Sequence, residues 1–193
     1  MEEAQGGETK KRKAEQVDSI EPDDEIVWPP CVIVENTRLC KTSDGRWTGL
    51  GNTEMSCFLA EIGHTMGKPK SCWGKEGHRG QVIVQYPPTM KGLKEAERLH
   101  EHFRSSSLGR FEWMRVKCMW HGLPGHEGID EGPDLKRFDE ACNMEKRVLY
   151  GYLAKVGDVD KLTPMKKKHK KCTTKRKKDI EAVAVAPDMR TAG

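Results

Sequence analysis

The sequence predicts an α+β domain. Its elements run β-α-β-β-α-β, an order that builds one antiparallel sheet and lays both helices on the same face of it. Three observations carry this. An apolar run at residues 31–34 follows two prolines; a longer one at 80–86 alternates into two sets; and apolar residues recur at helical spacing after Asn52 and after Thr89.

Cys31, Val32, Ile33 and Val34 form the first strand behind Pro29 and Pro30. Ser43, Asp44 and Gly45 mark a turn. Asn52 caps a helix whose residues Met55, Phe58, Leu59 and Ile62 share one face, and Gly63 suits its end. Ser71, Cys72 and Trp73 read as a short strand, and residues 80–86 as the best strand in the chain. Thr89 then opens a helix with Leu93, Ala96, Leu99, His100 and Phe103 along one stripe. Residues 111–119 alternate weakly, 124–133 form a Gly-rich surface loop, and 147–154 supply the last strand. In the 80–86 strand Val82, Val84 and Tyr86 face the helices. Gln81, Ile83 and Gln85, with Ile33, then lie on a face left open.

Charge separates the domain from its ends. The chain has 193 residues, 33% of them charged, and a net charge of +4. Residues 1–25 hold nine acids and four bases, while 166–178 hold nine Lys or Arg and no acid. Residues 1–24 and 164–193 are read as disordered tails around one domain at 25–163. No apolar run approaches the ~20 residues a membrane helix requires. The N-terminus has no apolar core of a secretory signal, and seven scattered cysteines read as reduced thiols. No phosphate-binding loop, G-x-S-x-G or HExxH motif is present, so no catalytic residue is assigned. Cys72 with His78, and Cys118 with His121, lack the paired spacing of a structural zinc site, so neither a metal nor a cofactor is expected.

A β-α-β-β-α-β domain with an open sheet face raises the RNA-recognition motif. Its octamer frame can be laid on residues 79–86, where Arg79, Gly80, Val84 and Tyr86 fit. The ring positions hold Gln81 and Ile83, and the matching position on the first strand holds Ile33. Stacking on aromatics contributes ~1–3 kcal/mol per base. A face of Ile and Gln does not supply that, which leaves backbone contact, duplex shape, or a protein partner on the sheet.

Six motifs occur in order: residues 26–30 (IVWPP), 36–39 (NTRL), 49–52 (GLGN), 77–80 (GHRG), 95–100 (EAERLH) and 149–153 (LYGYL). In these the chain resembles the plant XS domain of the suppressor-of-gene-silencing and RNA-directed DNA methylation family. The resemblance implies an RNA-recognition-motif-like fold. It implies binding of double-stranded RNA, notably with a 5′ overhang, alongside silencing proteins and an RNA-dependent RNA polymerase. No heptad run is present, so the oligomeric state stays open.

The candidate RNA contacts follow. Arg79 pairs with phosphate and His78 with a phosphate or base edge, and Gln81 lies beside them on the strand. Lys68, Lys70 and Lys75 extend a phosphate-binding strip. Trp73 is either a stacking platform or a core residue of a short strand, and Trp47 either a loop residue or a ring folded back on the sheet. Lys166, Lys167, Lys168, Lys170, Lys171, Lys175, Arg176, Lys177 and Lys178 form a basic arm that reads as a nuclear-import signal with added RNA affinity. Nuclear location, or cytoplasmic granules, is the expectation. In the rival reading the Ile33–Ile83 face binds a protein partner and only the arm touches RNA.

Overall fold

The first strand of the described residues is β1 (Glu25–Trp28), and two prolines later β2 (Cys31–Glu35) enters the centre of the sheet. The computed structural model describes residues 18–121, 134–162 and 173–185. The hairpin β3 (Arg38–Lys41) and β4 (Trp47–Gly49) follows, then helix α1 (Asn52–Glu61), β5 (Lys68–Gly74), β6 (Gly77–Gln85) and helix α2 (Met90–Ser105). Helix α3 (Arg110–His121), the hairpin β7 (Lys136–Asp139) and β8 (Met144–Arg147), and β9 (Tyr150–Leu153) come next. A 3-10 helix (Val156–Leu162), β10 (Thr173–Arg176) and α4 (Lys177–Val185) complete the described residues.

Four strands pair antiparallel in the order β5-β6-β2-β9, with Ile33 opposite Ile83 and Tyr152. The β3–β4 hairpin joins this sheet through a parallel bridge from Trp47 to Gly77. Asn36 turns the chain from β2 into β3 at φ 62°, and its amide donates to the carbonyls of Leu135 and Val148 at 2.8 Å each.

Both helices lie on one face, as the periodicity predicts. Val32, Val34, Val82, Val84 and Tyr86 pack there with Met55 and Leu59 of α1 and Leu93, Leu99 and Phe103 of α2. Thr89 caps α2 by accepting from the Gly92 N–H. The cap of α1 differs from expectation: Gly51 holds that position, and the Asn52 side chain instead accepts from the Ser71 N–H at 2.8 Å. Gly151 on β9 lets α2 approach closely, since a Cβ there would sit 2.2 Å from the Phe103 ring. Gly151→Ala is therefore expected to lower stability by about 1–3 kcal/mol, the usual cost of overpacking, measured by urea denaturation.

The other sheet face is not open, which corrects the sequence expectation. Ile33 and Ile83 are 0% and 1% exposed. Leu162 and Val159 of the 3-10 helix and Trp113 of α3 pack on them, together with Tyr152 and Cys72. The physical reason lies in the residues themselves. Leaving two isoleucines in water forgoes about 1.5–3 kcal/mol each, and a short 3-10 helix suffices to recover it. The rival reading, a protein partner on this face, falls with it.

A polar rim seals this second layer. Tyr152 donates its hydroxyl to Glu35 Oε1 at 2.6 Å, Gln81 Nε2 donates to the same oxygen at 3.1 Å, and Lys161 Nζ donates to the Tyr152 hydroxyl at 2.7 Å. Arg110 grips Asp158 through two bonds of 2.9 and 2.7 Å, and its guanidinium lies 4.1 Å from the Tyr152 ring centre.

Two further segments depart from the sequence reading. Residues 110–121 are helical rather than weakly alternating, because Val116 packs against Leu135, Val148 and Tyr150. The stretch read as a structureless tail carries β10 and α4 over residues 173–185. β10 pairs with β1, and Ile180 enters the helix-side core beside Ile26 and Trp28. Charge density hid this docking.

Candidate nucleic-acid interface

The tip of the β5–β6 hairpin is built around glycines at 77 and 80. Gly77 has φ +91° and Gly80 φ +84°, a region that side-chain-bearing residues rarely adopt. At Gly77 the constraint is doubled, because a Cβ would lie 2.3 Å from the Trp47 carbonyl oxygen. That close approach lets the Trp47 N–H donate to the Glu76 carbonyl at 2.8 Å and docks the β3–β4 hairpin beside the tip.

His78 is the anchor of this junction and not an RNA contact, a second correction. It is 1% exposed. Its Nδ1 accepts from the Gly80 N–H at 3.0 Å, so Nε2 carries the proton and donates to the Leu50 carbonyl at 3.1 Å. Burial holds its pKa below the ordinary histidine value, which keeps the neutral tautomer that both bonds require. Gly49 leaves room for the ring, since a Cβ there would be 2.3 Å from His78 Cγ.

Around this anchor the hairpins gather cations and indoles. Arg38 Nε donates to the His78 carbonyl at 3.0 Å. The Arg38 guanidinium lies 5.1 Å and the Lys41 ammonium 5.0 Å from the centre of the Trp47 ring. Both distances are within cation–π range. Trp73 meets His78 edge-on at 4.9 Å and stays 54% exposed. Arg79 is exposed and runs past Gly74, and Lys75 is exposed in the connecting turn. The surface therefore offers basic side chains for phosphate and two partly exposed indoles whose positions are already set by protein contacts.

The remaining sequence candidates scatter. Gln81 is committed to Glu35 inside the polar rim, which corrects its assignment as an RNA contact. Lys68 and Lys70 are exposed at the far end of β5, where Lys70 Nζ donates to Gln85 Oε1 at 2.8 Å. Trp47 sits on β4 beside the tip, not on the sheet face. Lys175 lies 5.1 Å over the Trp28 ring, Arg176 is paired in register with Glu25, and Lys177 and Lys178 bridge to Glu97 and Asp23. Lys166, Lys167, Lys168, Lys170 and Lys171 lie outside the described residues. Burial pushes the Cys72 thiol up to about 11, the opposite of what a metal ligand or nucleophile requires.

Sequence reasoning missed Arg38 and Lys41. The signal was available: the 43–45 turn separates two short segments that can pair, which puts Lys41 across from Trp47 and Arg38 across from Gly49 on the same hairpin.

The geometry defines an α+β domain with a covered sheet and a basic, tryptophan-bearing hairpin end. The XS domain family matches residues 23–161, and the chain belongs to that family. It is 35% identical to the maize protein Suppressor of Gene Silencing 3 homolog over 133 residues, covering 66% of this chain and 22% of the maize protein. It is 34% identical to the tomato Suppressor of Gene Silencing 3 over 138 residues, covering 72% of this chain and 18% of that protein. The Arabidopsis thaliana protein Involved in de novo 2 is 21% identical over 159 residues, 75% of this chain and 25% of that protein. The chain thus spans about a fifth to a quarter of the length of these curated relatives.

Proposed function

We propose that this domain is a non-catalytic RNA-binding module of RNA silencing, engaging double-stranded RNA near an end, in particular an end with a 5′ overhang. A four-stranded antiparallel sheet, β5-β6-β2-β9, with both helices on one face supports an RNA-recognition-motif-like reading. Of the positions where that motif stacks bases, Ile33 and Ile83 are buried and half-buried Gln81 is bonded to Glu35, so the ligand engages the hairpin end instead. The observation that carries the reading is the clustering of Arg38, Lys41, Trp47 and Trp73 around the His78 anchor, with Lys75 and Arg79 in the adjoining turn and strand. The basic residues hold duplex phosphates, and Trp73 stacks an unpaired nucleotide. The Suppressor of Gene Silencing 3 relatives support the pathway. Work alongside silencing proteins in an RNA-dependent RNA polymerase pathway, and a nuclear or granule location directed by the basic runs, belong to the same proposal.

The test is fluorescence anisotropy across a salt series with single-stranded, blunt, 5′-overhang and 3′-overhang RNA. Replacing Arg38, Lys41 and Arg79 together by Ala should weaken duplex binding and reduce the slope of log K against log salt by about 0.9 per lost phosphate contact. Trp73→Ala should weaken overhang binding more than blunt-duplex binding. Unchanged affinity in both variants would overturn the proposal.

A further inference from the structure

The basic segment at 173–178 is clasped to an acidic one. Strand β10 pairs with β1 from Arg176 opposite Glu25 to Thr173 opposite Trp28. The pairing runs on past the strand, where the Lys177 N–H donates to the Asp24 carbonyl at 3.0 Å and the Lys178 N–H to the Pro22 carbonyl at 2.9 Å. Four cations, Lys175, Arg176, Lys177 and Lys178, thereby lie along four acids, Glu21, Asp23, Asp24 and Glu25. Lys178 bridges to Asp23, Lys177 to Glu97 of α2 at 2.9 Å, and Asp24 is taken by Lys155 at 2.7 Å. Helix α4 depends on this clasp. Its nine residues fall below the ~12–15 at which a helix holds by itself in water. Lys177 and Lys178 stand in its first turn, the end where the helix dipole disfavours cations, and Asp23 and Glu97 offset that. Ile180, 8% exposed beside Ile26 and Trp28, is its seat in the core.

We propose that residues 173–185 form an electrostatic latch: RNA phosphates compete with Asp23, Glu25 and Glu97 for its cations, so that RNA binding by this segment unseats α4. In the docked state a phosphate that approaches Arg176 or Lys178 also meets the carboxylates of residues 21–25. The strand gains the full attraction of the four cations only after they leave β1. The ion pairs given up are partly exposed and individually weak. Each phosphate neutralised on a single strand in turn releases counterions, with a salt slope of about 0.7. Away from β1, α4 has neither the Ile180 seat nor the length to stay helical. The closed state also lowers the apparent RNA affinity of the segment, in proportion to the fraction of chains that are open. Indiscriminate binding by the basic run is thereby held down, and selection is left to the hairpin end. The inference rests on the RNA-binding reading for its ligand alone and uses none of the hairpin-end residues.

Hydrogen exchange of the full chain is followed by mass spectrometry at low salt, without and with saturating oligouridylate of about 20 nucleotides, longer than the ~4–16 of a common single-strand site. The α4 amides should be protected in the free chain and exchange at least about tenfold faster with RNA bound, while those of β2 and β6 stay as they were. Ile180→Ala removes the seat without changing charge or lowering helix propensity. It should tighten oligouridylate binding by at least about threefold, read by anisotropy, with circular dichroism checking the fold. The exchange experiment is repeated in the chain with Arg38, Lys41 and Arg79 replaced by Ala, where α4 should again be released. Loss of duplex discrimination counts against the hairpin-end reading alone. An α4 that is unprotected before RNA is added, or that keeps its protection with RNA bound, overturns the latch. So does an unchanged or weakened affinity in Ile180→Ala, or no binding of the strand.

Discussion

Asp158→Asn is expected to destabilise the domain by about 3–5 kcal/mol, the cost of leaving a buried charge without its partner. Asp158 is 2% exposed and takes two bonds from Arg110, one from Lys161 and one from the Lys155 N–H. An asparagine keeps the volume but removes the nearer charge opposing Arg110, which lies over the Tyr152 ring and keeps only Asp18, 4.0 Å away. The same pair sets a pH signature. Burial pushes the Asp158 carboxyl up, yet hydrogen bonding and charge from Arg110 outweigh it, and the net pKa lies below the ordinary aspartate value. A carboxyl depressed in the folded state stabilises fully above its unfolded pKa and loses that contribution as pH falls through the folded value. The wild-type chain should therefore lose this share of its stability below about pH 4. The gap between wild type and Asp158→Asn should narrow in the same range. Urea titrations at pH 7 and pH 3.5 read both effects, and an equal gap at the two pH values would contradict the assignment.

Gly77→Ala should separate folding from RNA binding. The φ of +91° costs a non-glycine residue about 1–3 kcal/mol. The Trp47 carbonyl oxygen, 2.3 Å from the added Cβ, is backbone and has nowhere cheap to move. The β3–β4 hairpin must then shift from the tip and carry Arg38, Lys41 and Trp47 with it. Duplex affinity should fall by at least as much as in the triple alanine variant, while the helix-side core, which holds none of these residues, keeps its far-ultraviolet spectrum. Full RNA affinity in a folded Gly77→Ala chain would show that the docked hairpin is not part of the binding surface.

The two central strands and both core helices were legible because their signals are local. Alternation at Val82, Val84 and Tyr86 and the Leu93–Leu99–Phe103 stripe need no knowledge of distant residues. The cover on the second face was harder to see, since Leu162 reaches Ile33 only after the chain has folded. A hint existed in Ile33 and Ile83, two large apolar residues on a face assumed to be wet. His78 was misassigned for a related reason. A histidine between glycines looks exposed, and only the approach of Gly49 and Leu50 from another strand reveals it as buried. The cations of the basic run were read by density, yet Lys177 and Lys178 each meet an acid that is distant in sequence.

The late position of that cover sets the order of events on the ribosome. β2 and β6 can pair once residue 85 is available, but β9 and the 3-10 helix finish only at residue 162. In the interval a nascent chain carries Ile33 and Ile83 without the 3-10 helix over them, with one side of β2 still lacking its neighbour. Such unpaired, apolar intermediates are the species that aggregate or recruit chaperones. Chains released before Leu162 emerges should be far more dependent on chaperones than the finished protein.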